Sequence, residues 1–170
     1  QNKFNDEVAK AAGKPLSAYM ALKTEWESLT GSMKEREKWV KDNVDRFEAL
    51  GGKVYDVKTA EKFLVEYTDT FIKSCISKTK ALAAEKLAAE KYEEILKKQA
   101  EIEAMPDTTT RTHYNSKTGD YYDITTENRS KKEKQEELKT LKAAAKKFIE
   151  MQIAFTKEEK KLLAAIAKVY

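Results

Sequence analysis

The chain has 170 residues, of which 36% are charged and 41% are hydrophobic, with only 5 glycines and 2 prolines. This composition, rich in Lys, Glu, Ala and Leu, is typical of long helices and argues against a β-sandwich or a β-barrel. The net charge is +4, but the basic residues near the C-terminus alternate with glutamates, as on a solvated helix surface. We therefore expect no specific nucleic-acid partner.

Two helices are predicted in the first fifty residues, at 1–12 and 15–50. Gly13 ends the first, and Pro15 fits the first turn of the second, where its missing N–H costs no hydrogen bond. Because the chain begins with Gln rather than Met, we expect a trimmed or excised piece.

An apolar residue recurs every seven positions along the second predicted helix: Tyr19, Trp26, Met33, Val40 and Phe47. This spacing predicts one helix-packing seam on a continuous helix, with Gly31 as a bend that does not end it. The Gly51-Gly52 pair then supplies the left-handed conformation that often terminates a helix.

The next part of the chain predicts an elbow followed by a long helix. Residues 53–67 form the elbow, in which Asp56 is a plausible N-cap. The helix covers 68–105, has an alanine-rich middle that allows close approach of a neighbouring helix, and is closed by Pro106.

Residues 107–127 differ in kind, because β-prone runs flank a turn that contains Asn and Gly. They predict a small β-hairpin, with an ordered Ω-type loop as the alternative. Ser130 and Glu133 match a capping box, which starts a last helix at 130–169. A second helix-packing seam, with an apolar residue at every seventh position, runs along this helix: Leu141, Phe148, Phe155, Leu162 and Val169.

Together these patterns predict a mainly α fold, in which long heptad-patterned helices form one elongated helical domain over 1–170. The two seams predict coiled-coil packing in a helical hairpin or bundle. Parallel and antiparallel pairing remain open, as do pairing within one chain and between chains.

The residue types and their spacing predict that the chain is not an enzyme. They predict no catalytic residue, no cofactor and no metal site. His113 is the single histidine and is expected to be an exposed residue of the 107–127 segment. Cys75 is the single cysteine and is expected to be a small core residue. No phosphate-binding glycine loop occurs.

We expect protein partners, through self-association or contact with other proteins. The apolar stripe at 162–169 behind a basic run also suits membrane contact, but its phase continues the second seam. No apolar run reaches the length of a membrane span, and no signal peptide is expected.

Between Tyr19 and Glu94 several short motifs follow one another in a fixed order. They are Lys38-Trp39-Val40, Leu50-Gly51-Gly52-Lys53-Val54-Tyr55-Asp56-Val57-Lys58-Thr59-Ala60-Glu61, Phe63-Leu64-Val65, Thr68-Asp69-Thr70-Phe71-Ile72 and Leu87-Ala88-Ala89-Glu90-Lys91-Tyr92. This arrangement resembles a stretch of the tail tape-measure proteins of phages and prophages of Bacteroidota-type bacteria. Cys75, Lys78 and the segment around His113 depart from that pattern.

The resemblance implies a structural role in tail assembly and length determination, without catalytic residues, in a virion tail or in the bacterial cytoplasm during assembly. Other tail proteins would then be the partners. The alternative is a stand-alone helical interaction or secretion module whose seams dock a partner.

Overall fold

The structure, a computed structural model, describes residues 2–167, with the side chains of residues 3–166. The fold is mainly α, as the composition predicts. The helices are α1 (Asn2–Ser28), α2 (Met33–Asp42), α3 (Val44–Ala49), α4 (Val57–Glu61), α5 (Thr68–Glu103) and α6 (Arg129–Ala167), with a π-helical segment at Lys62–Glu66. Two strands, β1 (Thr108–Asn115) and β2 (Asp120–Glu127), form an antiparallel hairpin, so the hairpin prediction is confirmed over the Ω-type loop.

Where the sequence predicts one domain, the chain divides into two compact units. Unit 1 consists of Gln1–Glu85 and Glu150–Tyr170, and unit 2 is Lys86–Ile149. Within residues 2–167, no helix is both long enough and apolar enough to cross a membrane.

Helix α1 continues through Gly13 and Pro15, so the predicted break between residues 12 and 15 is wrong. A proline inside a helix removes one backbone hydrogen bond and costs about 3 kcal/mol. Apolar packing on both sides offsets this cost, because Ala12 is buried, Leu16 packs against the core, and Tyr19 is fully buried. Tertiary packing thus overrides the local signal.

The predicted single helix over 15–50 is also wrong, because α1 ends at Ser28 and the chain turns before α2 and α3. Ser32 stands in extended conformation at the start of α2. The turn brings the side chain of Trp39 back to that of Trp26, with ring centroids 5.6 Å apart. A seven-residue spacing therefore runs across three helices here, and it does not mark one continuous seam.

The predicted stop at Gly51-Gly52 is confirmed, and its hydrogen bonds form a Schellman motif. The amide of Gly52 donates to the carbonyl of Phe47, and the amide of Gly51 donates to the carbonyl of Glu48, both at 2.9 Å. Gly51 has φ 77°, a left-handed conformation that glycine adopts without steric cost.

Asp56 caps α4, as predicted. Its side chain accepts from the amide of Thr59 at 2.8 Å and from the Thr59 hydroxyl at 2.7 Å. These hydrogen bonds, backbone first, hold the pKa of the Asp56 carboxyl below its usual value.

The π-helical segment after α4 is fixed by donors from α1. The Tyr19 hydroxyl donates to the carbonyl of Phe63 at 2.7 Å, and the Lys23 ammonium donates to the carbonyl of Leu64 at 2.8 Å. Two of the three apolar side chains of the segment, Phe63 and Leu64, are buried at 1% and 0% exposure, whereas Val65 is 44% exposed. Buried backbone carbonyls need such partners, so α1 and this segment specify each other.

Unit 2 contains the end of α5, the hairpin and the start of α6. Ion pairs join Lys98 to Glu137 and Lys134 to Glu101. A step of three forward along α5 matches a step of three backward along α6, so the two helices are antiparallel here.

The first turn of α6 is capped by Asn128, and the predicted capping box at Ser130 and Glu133 is wrong. The side-chain oxygen of Asn128 accepts from the amide of Lys131 at 3.2 Å. Asn128 holds this position because its side-chain amide donates to the carbonyl of Pro106 and its backbone amide donates to the carbonyl of Asp107.

Candidate functional site

The β-hairpin is the most distinctive surface of unit 2. Its register pairs Thr108 with Glu127 at the open end and Asn115 with Asp120 at the turn. Every strand residue except Asn115 is exposed. A two-stranded hairpin is marginally stable by itself in water, so its stability depends on what holds its root and on what its surfaces contact.

The root of the hairpin is pinned by two side chains from the start of α6. The side-chain amide of Asn128 donates to the carbonyl of Pro106 at 2.9 Å. The Lys131 ammonium donates to the carbonyl of Met105 at 3.0 Å and to the Asp107 carboxylate at 2.5 Å. Lys131 holds the pKa of Asp107 below its usual value.

The turn of the hairpin is specified locally. Gly119 has φ 78°, and its amide donates to the carbonyl of Asn115 at 2.8 Å. The side chain of Asn115 accepts from the amide of Lys117 at 3.0 Å. These are the roles that Asn and Gly commonly have in turns.

One face of the hairpin carries cross-strand pairs of polar and aromatic residues. The hydroxyls of Thr110 and Thr125 lie 3.0 Å apart. The Thr112 hydroxyl donates to the Asp123 carboxylate at 2.7 Å. The ring centroids of Tyr114 and Tyr121 are 5.1 Å apart. These pairs stabilise the two strands against each other.

The other face opens on the first turn of α6 around a cavity of about 1000 Å³, lined by Thr109, Arg111, His113, Ile124, Thr126, Glu127, Asn128, Arg129, Ser130 and Lys132. His113 is exposed and stacks on Tyr122 with ring centroids 5.8 Å apart. All of the lining residues except Asn128 are exposed, so the cavity is wide and open to solvent.

The predicted seam residues of unit 1 fall into two groups. Tyr19, Trp26, Val40 and Phe47 are at most 3% exposed, whereas Met33 is 61% exposed. The buried ones belong to one core cluster with Phe63 and Phe71. In it the ring centroids of Tyr19 and Phe71 are 4.4 Å apart, and those of Phe47 and Phe63 are 5.8 Å apart. The heptad pattern misses Phe63 and Phe71 because Phe63 lies in the elbow and Phe71 follows it, although each lies in one of the motifs of the 19–94 stretch.

The second seam on α6 is less buried. Leu141 and Phe148 in unit 2, and Phe155 and Leu162 in unit 1, are half-buried, and Val169 lies outside the described residues. Phe155 lies between the Phe4 ring at 6.2 Å and the Lys80 ammonium at 5.4 Å from its centroid.

Cys75 is 7% exposed in the core of unit 1, and burial raises the pKa of its thiol. A thiol in this state is a weak nucleophile. It lines an apolar cavity of about 340 Å³ together with Pro15, Leu50, Phe71 and Leu163, among others. In the part of the chain that the structure describes, no three His, Cys, Asp or Glu side chains are placed to hold a metal ion together.

Comparison with known proteins gives no relative for this chain: no family model, curated protein or solved structure matches it.

Proposed function

We propose that this chain is a structural segment of a phage tail tape-measure-like protein, which acts in tail assembly and length determination. The observation that carries the proposal is the role of the motif residues in the 19–94 stretch. Gly51 ends a helix, Asp56 starts one, and Phe63 and Phe71 fill the core of unit 1. The residues behind the resemblance thus serve architecture, as expected of a protein that works by its length.

The arrangement of unit 2 supports the same proposal. Antiparallel helices joined by ion pairs between Lys98 and Glu137 and between Lys134 and Glu101 form a length of rod. A helix contributes ~1.5 Å of length per residue. The length that a helix contributes to a tape-measure protein therefore depends on its number of residues and very little on their side-chain chemistry.

The test is electron microscopy of tails from phage that carry an in-frame deletion of residues 86–149. The helical residues removed span about 60 Å laid end to end and about 30 Å as an antiparallel pair, at ~1.5 Å per residue. We expect tails shortened by one of these two lengths, and the value tells whether the helical pair persists in the virion.

Two controls separate length from chemistry. Replacing 86–149 by an unrelated helical hairpin of the same number of residues should restore the tail length. Substituting His113→Ala or Cys75→Ser should leave it unchanged. Deletion phage with tails of wild-type length would overturn the proposal.

The exposed hairpin favours the second candidate, a stand-alone helical interaction module. In that case deletion of 107–127 abolishes the capture of a specific partner while tails, if the gene belongs to a phage, keep their length. Tail-length measurement on the same deletion set distinguishes the two proposals.

A further inference from the structure

The hydrogen-bond pattern of the hairpin shows which backbone groups point outward. The amide of Asn128 donates to the carbonyl of Asp107 at 2.9 Å, which extends the strand register by one bonded pair. Bonded and non-bonded pairs alternate along an antiparallel ladder. The pairs whose N–H and C=O groups point away from the hairpin are therefore Thr108 with Glu127, Thr110 with Thr125, Thr112 with Asp123, and Tyr114 with Tyr121.

Side-chain distances agree with this assignment, because side chains come closest across non-bonded pairs. The hydroxyls of Thr110 and Thr125 are 3.0 Å apart, and the Thr112 hydroxyl is 2.7 Å from the Asp123 carboxylate. Each strand thus presents four residues with outward backbone donors and acceptors.

Both edges of the hairpin are open within residues 2–167, where the sheet consists of two strands. Each strand is 8 residues long, above the usual length of about 5–6. Natural proteins commonly block exposed edges with lysine or proline, and neither residue occurs in β1 or β2. The edges are therefore competent to pair with a further strand.

Charge is distributed unequally between the two edges. Strand β1 carries the cation Arg111 and no carboxylate, whereas β2 carries Asp120, Asp123 and Glu127 and no cation. Two β2 edges would bring Asp123 and Glu127 of one copy beside the same carboxylates of the other on one face of the sheet, which is destabilising. A β2 edge against a β1 edge avoids this, because the outward residues of β1 (Thr108, Thr110, Thr112 and Tyr114) are neutral and Asp120 shares a face with Arg111. This asymmetry favours a head-to-tail contact.

We propose that the hairpin is a self-association surface, on which the β2 edge of one copy pairs with the β1 edge of a second copy of this chain. Repetition of the hairpin in one orientation keeps strand direction alternating, so the shared sheet is antiparallel throughout. A head-to-tail contact builds a ring when its rotation closes and an open chain when it does not. This inference goes beyond the proposed tail function and does not depend on it.

The test blocks each edge separately in the full-length chain and measures its mass by sedimentation velocity over a range of concentrations. Thr112→Pro removes an outward N–H from the β1 edge, and Asp123→Pro removes one from the β2 edge. Proline is tolerated where the missing N–H faces solvent. Thr112→Val is the matched control, since it also removes the Thr112 hydroxyl but keeps the backbone N–H.

We expect concentration-dependent association of the wild type and of Thr112→Val. Each proline variant by itself should associate roughly tenfold or more weakly, because pairing loses a hydrogen bond and meets a bulky ring. An equimolar mixture of the two proline variants should form a heterodimer, since each still has the edge that the other lacks. Thr110→Pro replaces Thr112→Pro if the latter has an altered helical circular dichroism spectrum.

Three results would each overturn the proposal. The first is a wild-type chain that is monomeric at every concentration. The second is undiminished association of Asp123→Pro alone, which would indicate pairing of two β1 edges. The third is a mixture of the two proline variants that contains monomers only.

Discussion

Removal of one hydroxyl group, in Tyr19→Phe, tests the contact between α1 and the π-helical segment. Tyr19 is 0% exposed. Its hydroxyl donates to the carbonyl of Phe63 at 2.7 Å and lies 3.0 Å from the hydroxyl of Thr68. The phenyl ring of the variant can keep its stacking on Phe71, at a centroid distance of 4.4 Å, so the change isolates the polar contact.

The expected loss in the free energy of unfolding follows from the hydrogen bond that the Tyr19 hydroxyl makes to the carbonyl of Phe63. Leaving a buried polar group with a lost partner costs about 1–3 kcal/mol. We expect about 1–2 kcal/mol for Tyr19→Phe, because the Thr68 hydroxyl still donates to the carbonyl of Leu64 at 2.9 Å. At roughly 2–4 °C per kcal/mol for a chain of this size, the midpoint of thermal unfolding should fall by about 2–8 °C.

The same residue predicts a pH dependence. Burial is the main cause that raises the pKa of the Tyr19 hydroxyl above 10.0. The folded state therefore holds this proton more tightly than the unfolded state does. The corresponding stability is fully present below about pH 10 and is lost as the pH rises through the folded-state pKa. The unfolding midpoint of the wild type should therefore fall more steeply at alkaline pH than that of Tyr19→Phe.

Tyr55→Phe is the matched control, since Tyr55 is 64% exposed and surface changes of this kind stay within about 0.5 kcal/mol. Urea and thermal unfolding of the three proteins, followed by circular dichroism, provide the comparison. Equal stabilities of Tyr19→Phe and Tyr55→Phe would refute the reasoning about the carbonyl of Phe63.

Two further pairs of substitutions test the helix bounds and the core packing through unfolding midpoints in urea. Gly51→Ala should destabilise by about 1 kcal/mol, because Gly51 has φ 77° and a side chain is disfavoured in that conformation. Gly13→Ala should stabilise by up to about 1 kcal/mol, since Gly13 lies inside α1 with no atom within 4 Å of an added Cβ; a loss of stability there would restore the predicted break. Phe63→Ala should cost about 3–5 kcal/mol, as for a fully buried aromatic, and half-buried Phe155→Ala distinctly less. Equal losses would mean that Phe155 belongs to a core as tight as that around Phe63.

Sequence signals that act over a few residues predict this fold well. The cap at Asp56 and the stop at Gly51 depend on hydrogen bonds to residues within five positions. The hairpin likewise depends on the turn between Asn115 and Asp120. In each case the partner groups are fixed by chain geometry, so the residue type is informative.

The errors arise where distant packing decides. Pro15 is accommodated inside α1 because Tyr19 and Leu16 belong to the core, which sequence spacing alone does not show. Met33 fits the heptad row but lies in a different helix from Tyr19 and is exposed. Asn128 outcompetes Ser130 as the cap because it also binds the carbonyl of Pro106, 22 positions away.

For the candidate site, the sequence predicts the hairpin and the positions of its aromatic residues. It does not predict which backbone groups of Thr112 and Asp123 point outward, because this depends on the register between the strands. A shift of the register by one residue would exchange the two faces.

The contact between Trp26 and Trp39 gives the chain a built-in optical label. These are its 2 tryptophans, their ring centroids are 5.6 Å apart, and the Arg36 guanidinium lies 4.8 Å from the Trp26 ring. Both belong to unit 1, whereas unit 2 contains tyrosines such as Tyr114 and Tyr121 as its chromophores. Emission excited at the red edge of the absorption band therefore follows the melting of unit 1 alone, while far-ultraviolet dichroism follows the helices of both units.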